Sequence, residues 1–348
     1  MTSKELVSAT YRFEKTPRFP FDLMESLSWP ELLEYFGNRY GIQSHDDLIE
    51  WLDPDFRWLF TQYTGPQKGE PGFWGFMGEV TYSADAYTPP LCNASSIADV
   101  MSLPMPDPAW WAPPDLQEGA RRWPDKALVY FPGWAPLFCG ACYSFGMDNA
   151  LANMLLGPAL FDAYLARHNE FYLEILARAL PKVREVCDIV WLGDDYASQS
   201  NLMFDPSLFK KLIVPHLKKQ VRMIRDAGLN VLFHSCGAIR RILPDMLNMG
   251  VNSMLVFQTT ADGMDAPSIA REFGGKLVFY GGIDSQSLLT RGTTEQVRAE
   301  VESNIREFDR CGGYIVANSH HGLKDIQGKN IEAMFDTAKT TARLTGSP

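Results

Sequence analysis

From Ala127 onward, short apolar runs alternate with long amphipathic stretches, and this rhythm leaves the chain few possible folds. Runs of this length fit buried strands, and the segments between them are long enough for helices. A strand–helix–strand repeat builds a parallel sheet, because parallel strands need a crossover connection. The runs fall at 98–103, 127–131, 189–192, 231–234, 253–257, 277–280 and 314–317, with Phe19–Phe21 as an eighth near the N-terminus. Helix punctuation separates them. Asp205-Pro206 pairs an N-cap with a proline at the first helical position. Thr293 and Gln296 form a capping box, and Gly228 and Gly274 mark helix ends. Eight such units predict an α/β fold, a (β/α)8 TIM barrel. No Gly-x-Gly-x-x-Gly follows an early strand, so a doubly wound dinucleotide fold has no support.

The expectation is one barrel domain over residues 1–348, with residues 24–98 as an irregular insertion over the barrel mouth. A helix is expected from Ser3 to Tyr11. Within the insertion, helices are expected around 29–37 and 45–51, and a hairpin in the glycine- and aromatic-rich stretch 73–82. Such an insertion is either a lid or ordinary cover for the core.

Active sites of (β/α)8 barrels are built at the C-terminal ends of the strands. Polar and ionisable residues gather there in this chain. Asp22 follows Phe19–Phe21, and Trp134 and then Cys139 follow the run at 127–131. Asp194, Asp195 and Gln199 come next, followed by His234 and Cys236. Then come Gln258 with Met264, Tyr280 with Gly281, Gly282 and Asp284, and finally Asn318, Ser319, His320 and His321. His234 and Cys236 lie two apart at a strand end, so their side chains leave the same face. An imidazole beside a thiolate favours Zn2+ over Mg2+ or Ca2+. A third ligand is needed, and His320 or His321 is the economical source. Without it, His234 is a hydrogen-bonded core histidine and Cys236 a small buried residue.

Other positions carry two readings each. Asp194 and Asp195 serve as base or partner to a ligating histidine, or cap a turn. Gln199 and Gln258 orient a substrate or bind backbone. Gly281 and Gly282 admit a ligand or make a tight turn. Asp284 reads as a helix cap, Cys139 and Cys142 as packing, and His168 as a solvated helix residue.

Composition removes whole classes of function. The net charge is −10, from 32 basic and 42 acidic side chains. That leaves no basic face for nucleic acid and no polybasic membrane contact. No apolar run approaches the roughly 20 residues that span a bilayer. Six scattered cysteines and no signal-like N-terminus point to a reducing, cytoplasmic setting without disulfides.

From Asp194 to Met334 the chain resembles the uroporphyrinogen decarboxylase superfamily, within it the corrinoid-linked methyltransferases. The resemblance rests on Gly193-Asp194-Asp195 with Gln199, Phe204-Asp205-Pro206, Pro215, His234-Ser235-Cys236-Gly237 and Gln258 with Gly263-Met264-Asp265. It continues in Gly281-Gly282-Ile283-Asp284, Gly292 to Glu295, Gly313 to Ile315, Ser319-His320 and Asn330-Ile331. It implies a (β/α)8 barrel, a zinc held by the His-x-Cys pair, a small methylated substrate, and a separate corrinoid (cobalamin) protein docked at the mouth. A homodimer is compatible with it. The decarboxylases grip their polyanionic substrate with an arginine-rich N-terminal segment, whereas here residues 16–26 contain only Arg18 beside Asp22 and Glu25. The thiol-methylating members take a third zinc ligand from a cysteine after the last strand. Here His320 and His321 stand in its place, with His320 the assigned ligand. Asp194 and Asp195 are then the catalytic candidates, and Asp22, Trp134, Gln199, Gln258, Met264 and Tyr280 the substrate-binding ones. Two alternatives remain: a metal-free decarboxylase, and a barrel that only binds a ligand or corrinoid protein.

Overall fold

The computed structural model describes residues 1–26, 28–66, 88–134, 136–320 and 324–343. A curled sheet of seven parallel strands runs in the order of the chain: β1 Phe56–Phe60, β2 Ala127–Phe131, β3 Ile189–Gly193, β4 Asn230–His234, β5 Ser253–Phe257, β6 Val278–Ile283 and β7 Tyr314–Asn318. Helices pack outside the sheet, which is the α/β TIM-barrel arrangement. Strands β2 to β7 occupy the expected runs. Both faces of these strands are buried, one against helices and one against the barrel interior, which explains their near-continuous apolar character.

The barrel closes where Phe19–Phe21 was expected as a strand, but through a single parallel bridge from Phe21 to Val316. The Asp22 N–H donates to the Val316 carbonyl at 3.0 Å, and the Val316 N–H to Pro20 at 2.9 Å. On the other side, the Asp55 N–H donates to the Phe21 carbonyl at 3.0 Å. Buried Asp55 in turn accepts two hydrogen bonds from Arg18, at 2.7 and 2.8 Å. Arg18, the only cation of residues 16–26, is therefore part of the closure.

Three expectations are corrected. Residues 98–103 are not a strand; Ile97–Ser102 is a helix, started by a capping box between Ser96 and Asp99. The strand beside Ala127–Phe131 is instead β1, which lies inside the stretch expected to be an irregular insertion. That stretch also holds helices Pro30–Tyr40 and His45–Leu52, while the expected hairpin at 73–82 lies outside the described residues. His168 is not solvated. It is buried on helix Pro158–Val183 with its ring stacked on Tyr164.

The N-terminal helix Ser3–Tyr11 covers the floor of the barrel. Val7 joins the interior cluster, and the Tyr11 hydroxyl meets the Ser253 hydroxyl at the start of β5, 2.7 Å away. Gly281 and Gly282 are residues of β6 rather than a turn. A Cβ at Gly282 would stand 2.7 Å from the Tyr314 hydroxyl, so glycine there admits another side chain of the protein itself. Asp284 is the expected cap: its carboxylate accepts from the N–H groups of Gln286, Ser287 and Leu288. Among the described residues, no helix is long and apolar enough to cross a membrane.

Candidate metal centre

His234 is the last residue of β4, and Cys236 follows in the turn after it. The chain then makes a left-handed turn at Gly237, with φ of 82°. Three successive amides of this turn are held by neighbouring loops. The Cys236 N–H donates to Asp195 Oδ1 at 2.9 Å, the Gly237 N–H to Gln258 Oε1 at 3.0 Å, and the Ala238 N–H to the Ser198 carbonyl at 2.9 Å. A Cβ at Gly237 would meet the Ser198 carbonyl oxygen at 2.4 Å, so only glycine lets the two loops close. Replacing Gly237 by alanine is expected to cost about 2 kcal/mol or more, from strain and lost contacts. Chemical denaturation measures that cost.

His320 lies two residues beyond β7, half-buried, and its side chain comes to the same place. One ligand atom each from His234, Cys236 and His320 lies within 4.8 Å of the other two. The Cys236 thiol stands 3.6 Å from His234 Nε2. His321 lies outside the described residues. Two imidazoles and a thiol at these separations fit one tetrahedral divalent ion with an open position, and the softness of the set favours zinc. Burial raises the Cys236 thiol, partly offset by His234. Burial disfavours a charged His234, but Cys236, Glu25 and Asp195 outweigh it and raise the imidazole well above its usual range. An ion bound there would displace that proton.

Around this trio stand two aromatic rings. Trp134 meets the His234 ring edge-on at 5.9 Å between centroids, and Trp191 lies at 5.8 Å. Beneath them, inside the barrel, Asp22 is fully buried. The Trp58 indole N–H donates to its Oδ2 at 2.8 Å, and so does the Tyr280 hydroxyl. Burial pushes the Asp22 carboxyl up to about 7, against the lowering effect of these two donors and of Arg57. Tyr280 registers with Leu255, which registers with His234, so Tyr280 lies two strands from His234 in the same row of the sheet.

The two adjacent aspartates have different surroundings. Asp194 is buried and accepts from the N–H groups of Phe138 at 2.6 Å and Cys139 at 2.9 Å, capping helix Phe138–Phe145. Burial pushes its carboxyl up to about 7. Asp195 has a third of its side chain exposed, and its Oδ1 lies 3.8 Å from His234 Nε2. Gln199 and Gln258 bind each other at 2.6 Å, and each also holds a loop backbone. Met264 packs into the layer between sheet and helices, away from the trio. Cys139 and Cys142 are buried in helix Phe138–Phe145, where burial raises both thiols, Cys142 to about 12.

Three residues at the site were not singled out beforehand. Trp191 and Trp58 are interior positions of strands. Glu25 lies 3.5 Å, through Oε1, from His234 Nδ1.

With this geometry in place, the comparisons identify the family. Residues 135–341 match the uroporphyrinogen decarboxylase (URO-D) family, and the chain belongs to it. Among solved structures, a methyltransferase from Methanosarcina mazei aligns over 97% of this chain and 98% of its own, with a TM-score of 0.64 and 15% identity. A D-psicose 3-epimerase from Clostridium cellulolyticum H10 aligns over 85% and 91%, with a TM-score of 0.40 and 10% identity. A comparison with curated proteins finds no match.

Proposed function

We propose that this chain is a zinc-dependent methyltransferase. It moves a methyl group between a small methylated compound, with methoxylated aromatics as the class to test first, and the cobalt of a corrinoid on a separate protein. The observation that carries the reading is the convergence of His234, Cys236 and His320 to within 4.8 Å at the strand ends. Membership of the URO-D family and the near-complete overlay on a protein named as a methyltransferase support it. When bound, zinc supplies a Lewis acid that draws electron density from the heteroatom carrying the methyl group. One thiolate and two neutral imidazoles place less negative charge on the ion than a dithiolate set, which suits an ether oxygen.

The remaining roles belong to the chain itself. Trp134 and Trp191 supply an apolar wall beside the ligands. Asp195, on the solvent side, is placed to exchange a proton with the leaving group. Asp22, with Tyr280 below, holds a proton near neutral pH. Asp194 acts by holding the helix that follows Trp134.

The competing reading is a decarboxylase without metal, in keeping with the family's name. Against it, Arg18 is engaged by Asp55, and Arg57 is buried and donates to the carbonyls of Pro54 and Phe56. Neither is disposed as a grip for a polyanion. Elemental analysis of protein purified without added metal separates the readings, with about one zinc per chain expected. His320→Ala is expected to lose most of that zinc and His321→Ala to keep it; unchanged zinc in both would reject the ligand assignment. Conversion of cob(I)alamin to methylcobalamin, followed by absorbance, reports the transfer. No turnover with any methyl donor, despite tight binding of a corrinoid protein, would favour a binding role instead.

A further inference from the structure

We propose that Glu25 is a positioning residue for His234. Its carboxylate accepts a hydrogen bond from Nδ1–H and so fixes the tautomer whose Nε2 lone pair faces Cys236 and His320. The inference rests on the zinc reading above.

The two sides of the His234 ring face different partners. Nε2 looks toward the Cys236 thiol at 3.6 Å, whereas Nδ1 looks toward Glu25 Oε1 at 3.5 Å. Glu25 is therefore on the far side of the ring from the other ligand atoms, and it acts through His234 rather than on the ion. Nδ1 is buried and has no hydrogen bond of good geometry among the described residues. Glu25, itself buried, is in ion-pair range of it. A shift of a few tenths of an ångström turns this approach into a hydrogen bond. A ligating imidazole almost always donates its second N–H to such an acceptor, which fixes the ring and raises its basicity.

The backbone points the same way. Glu25 has φ of 56° and ψ of 17°, a left-handed conformation that a non-glycine residue adopts at a cost. The surrounding structure holds it there. The Met24 N–H donates to Asn318 Oδ1 at 2.9 Å, and Asn318 Nδ2 donates to the His320 carbonyl. One turn, Asp22–Ser26, thus reaches His234 through Glu25 and the His320 loop through Met24 and Asn318. It links the two ligand-bearing strand ends that no direct strand pairing connects, β4 and β7.

Two variants test this. Glu25→Gln keeps the shape and removes the charge. Glu25→Gly removes the side chain and relieves the backbone strain. Zinc affinity is read by competition with a chromophoric chelator, and the ligand geometry from the spectrum of cobalt(II)-loaded protein. Zinc binding is expected to weaken about 10-fold in E25Q and toward 100-fold in E25G. The thermal midpoint of E25G should be unchanged or higher. The thiolate-to-cobalt band should persist in both while the d–d bands shift, because the ligands remain and only the imidazole changes. A role in holding the fold alone predicts the reverse for E25G: zinc binding within twofold of the parent. That result in both variants, with the parent binding zinc normally, overturns the assignment and leaves the metal site standing. A parent chain that binds no zinc overturns both.

Discussion

Cys236→Ala is expected to weaken zinc binding by at least about 100-fold and to abolish measurable methyl transfer, with little change in fold. The affinity estimate follows from sharing the roughly 10–16 kcal/mol of a zinc site among its ligands. The thiolate is the one anionic ligand in the trio, so its share is not the smallest. The fold should survive because the turn is held by backbone groups. The Cys236, Gly237 and Ala238 amides donate to Asp195, Gln258 and Ser198, and none of these bonds uses the thiol. The thiol is also only partly buried, which keeps the cavity left by its removal small. Circular dichroism and a denaturant midpoint check the fold, and chelator competition checks the metal. Full zinc occupancy in the variant would remove Cys236 from the ligand set and, with it, the argument for methyl transfer.

The barrel was legible where both faces of a strand are buried. Ile189–Gly193, Asn230–His234 and Tyr314–Asn318 read as apolar runs because helices cover one side and the interior cluster fills the other. The candidate ligands at the ends of β4 and β7 were read from the same pattern, since a barrel directs chemistry to one rim, and the structure brings them together. Elsewhere the local signal was ambiguous. The run at 98–103 is apolar enough for a strand, yet the Ser96–Asp99 capping box decides for a helix. A short apolar run cannot settle that choice by periodicity. The strand Phe56–Phe60 was hidden because Arg57 interrupts its apolar run; the guanidinium is buried against the carbonyls of Pro54 and Phe56. Glu25 left no local trace either. Its left-handed backbone lies in a turn tied through Met24 to Asn318, 294 residues on from Met24, and its carboxylate faces His234, also distant in the chain.

Asp22→Asn is expected to stabilise the protein at pH 8 by on the order of 4 kcal/mol, and at pH 5 by only on the order of 1–2 kcal/mol. Asp22 is fully buried, and burial holds its carboxyl at about 7 in the folded chain, against about 3.9 when unfolded. The shift is upward, so between pH 4 and 7 the native state keeps a proton that the unfolded state has released. Stability therefore falls as pH rises through that window and levels off above 7. Asparagine carries no charge to desolvate. Its carbonyl oxygen can still accept from Trp58 and Tyr280, which both donate to Oδ2 in the parent. Its amide would take the place of Oδ1, which has no side-chain donor among the described residues. Asp194 carries a similar upward shift in both proteins, so the difference between variant and parent isolates Asp22. Urea denaturation at pH 5 and pH 8 gives the comparison, and parallel pH slopes would show that Asp22 ionises as freely folded as unfolded. In the proposed reading, a carboxyl kept at this cost near the candidate metal centre would serve proton transfer near neutral pH. The same variant should then lose about 100-fold in turnover while gaining stability.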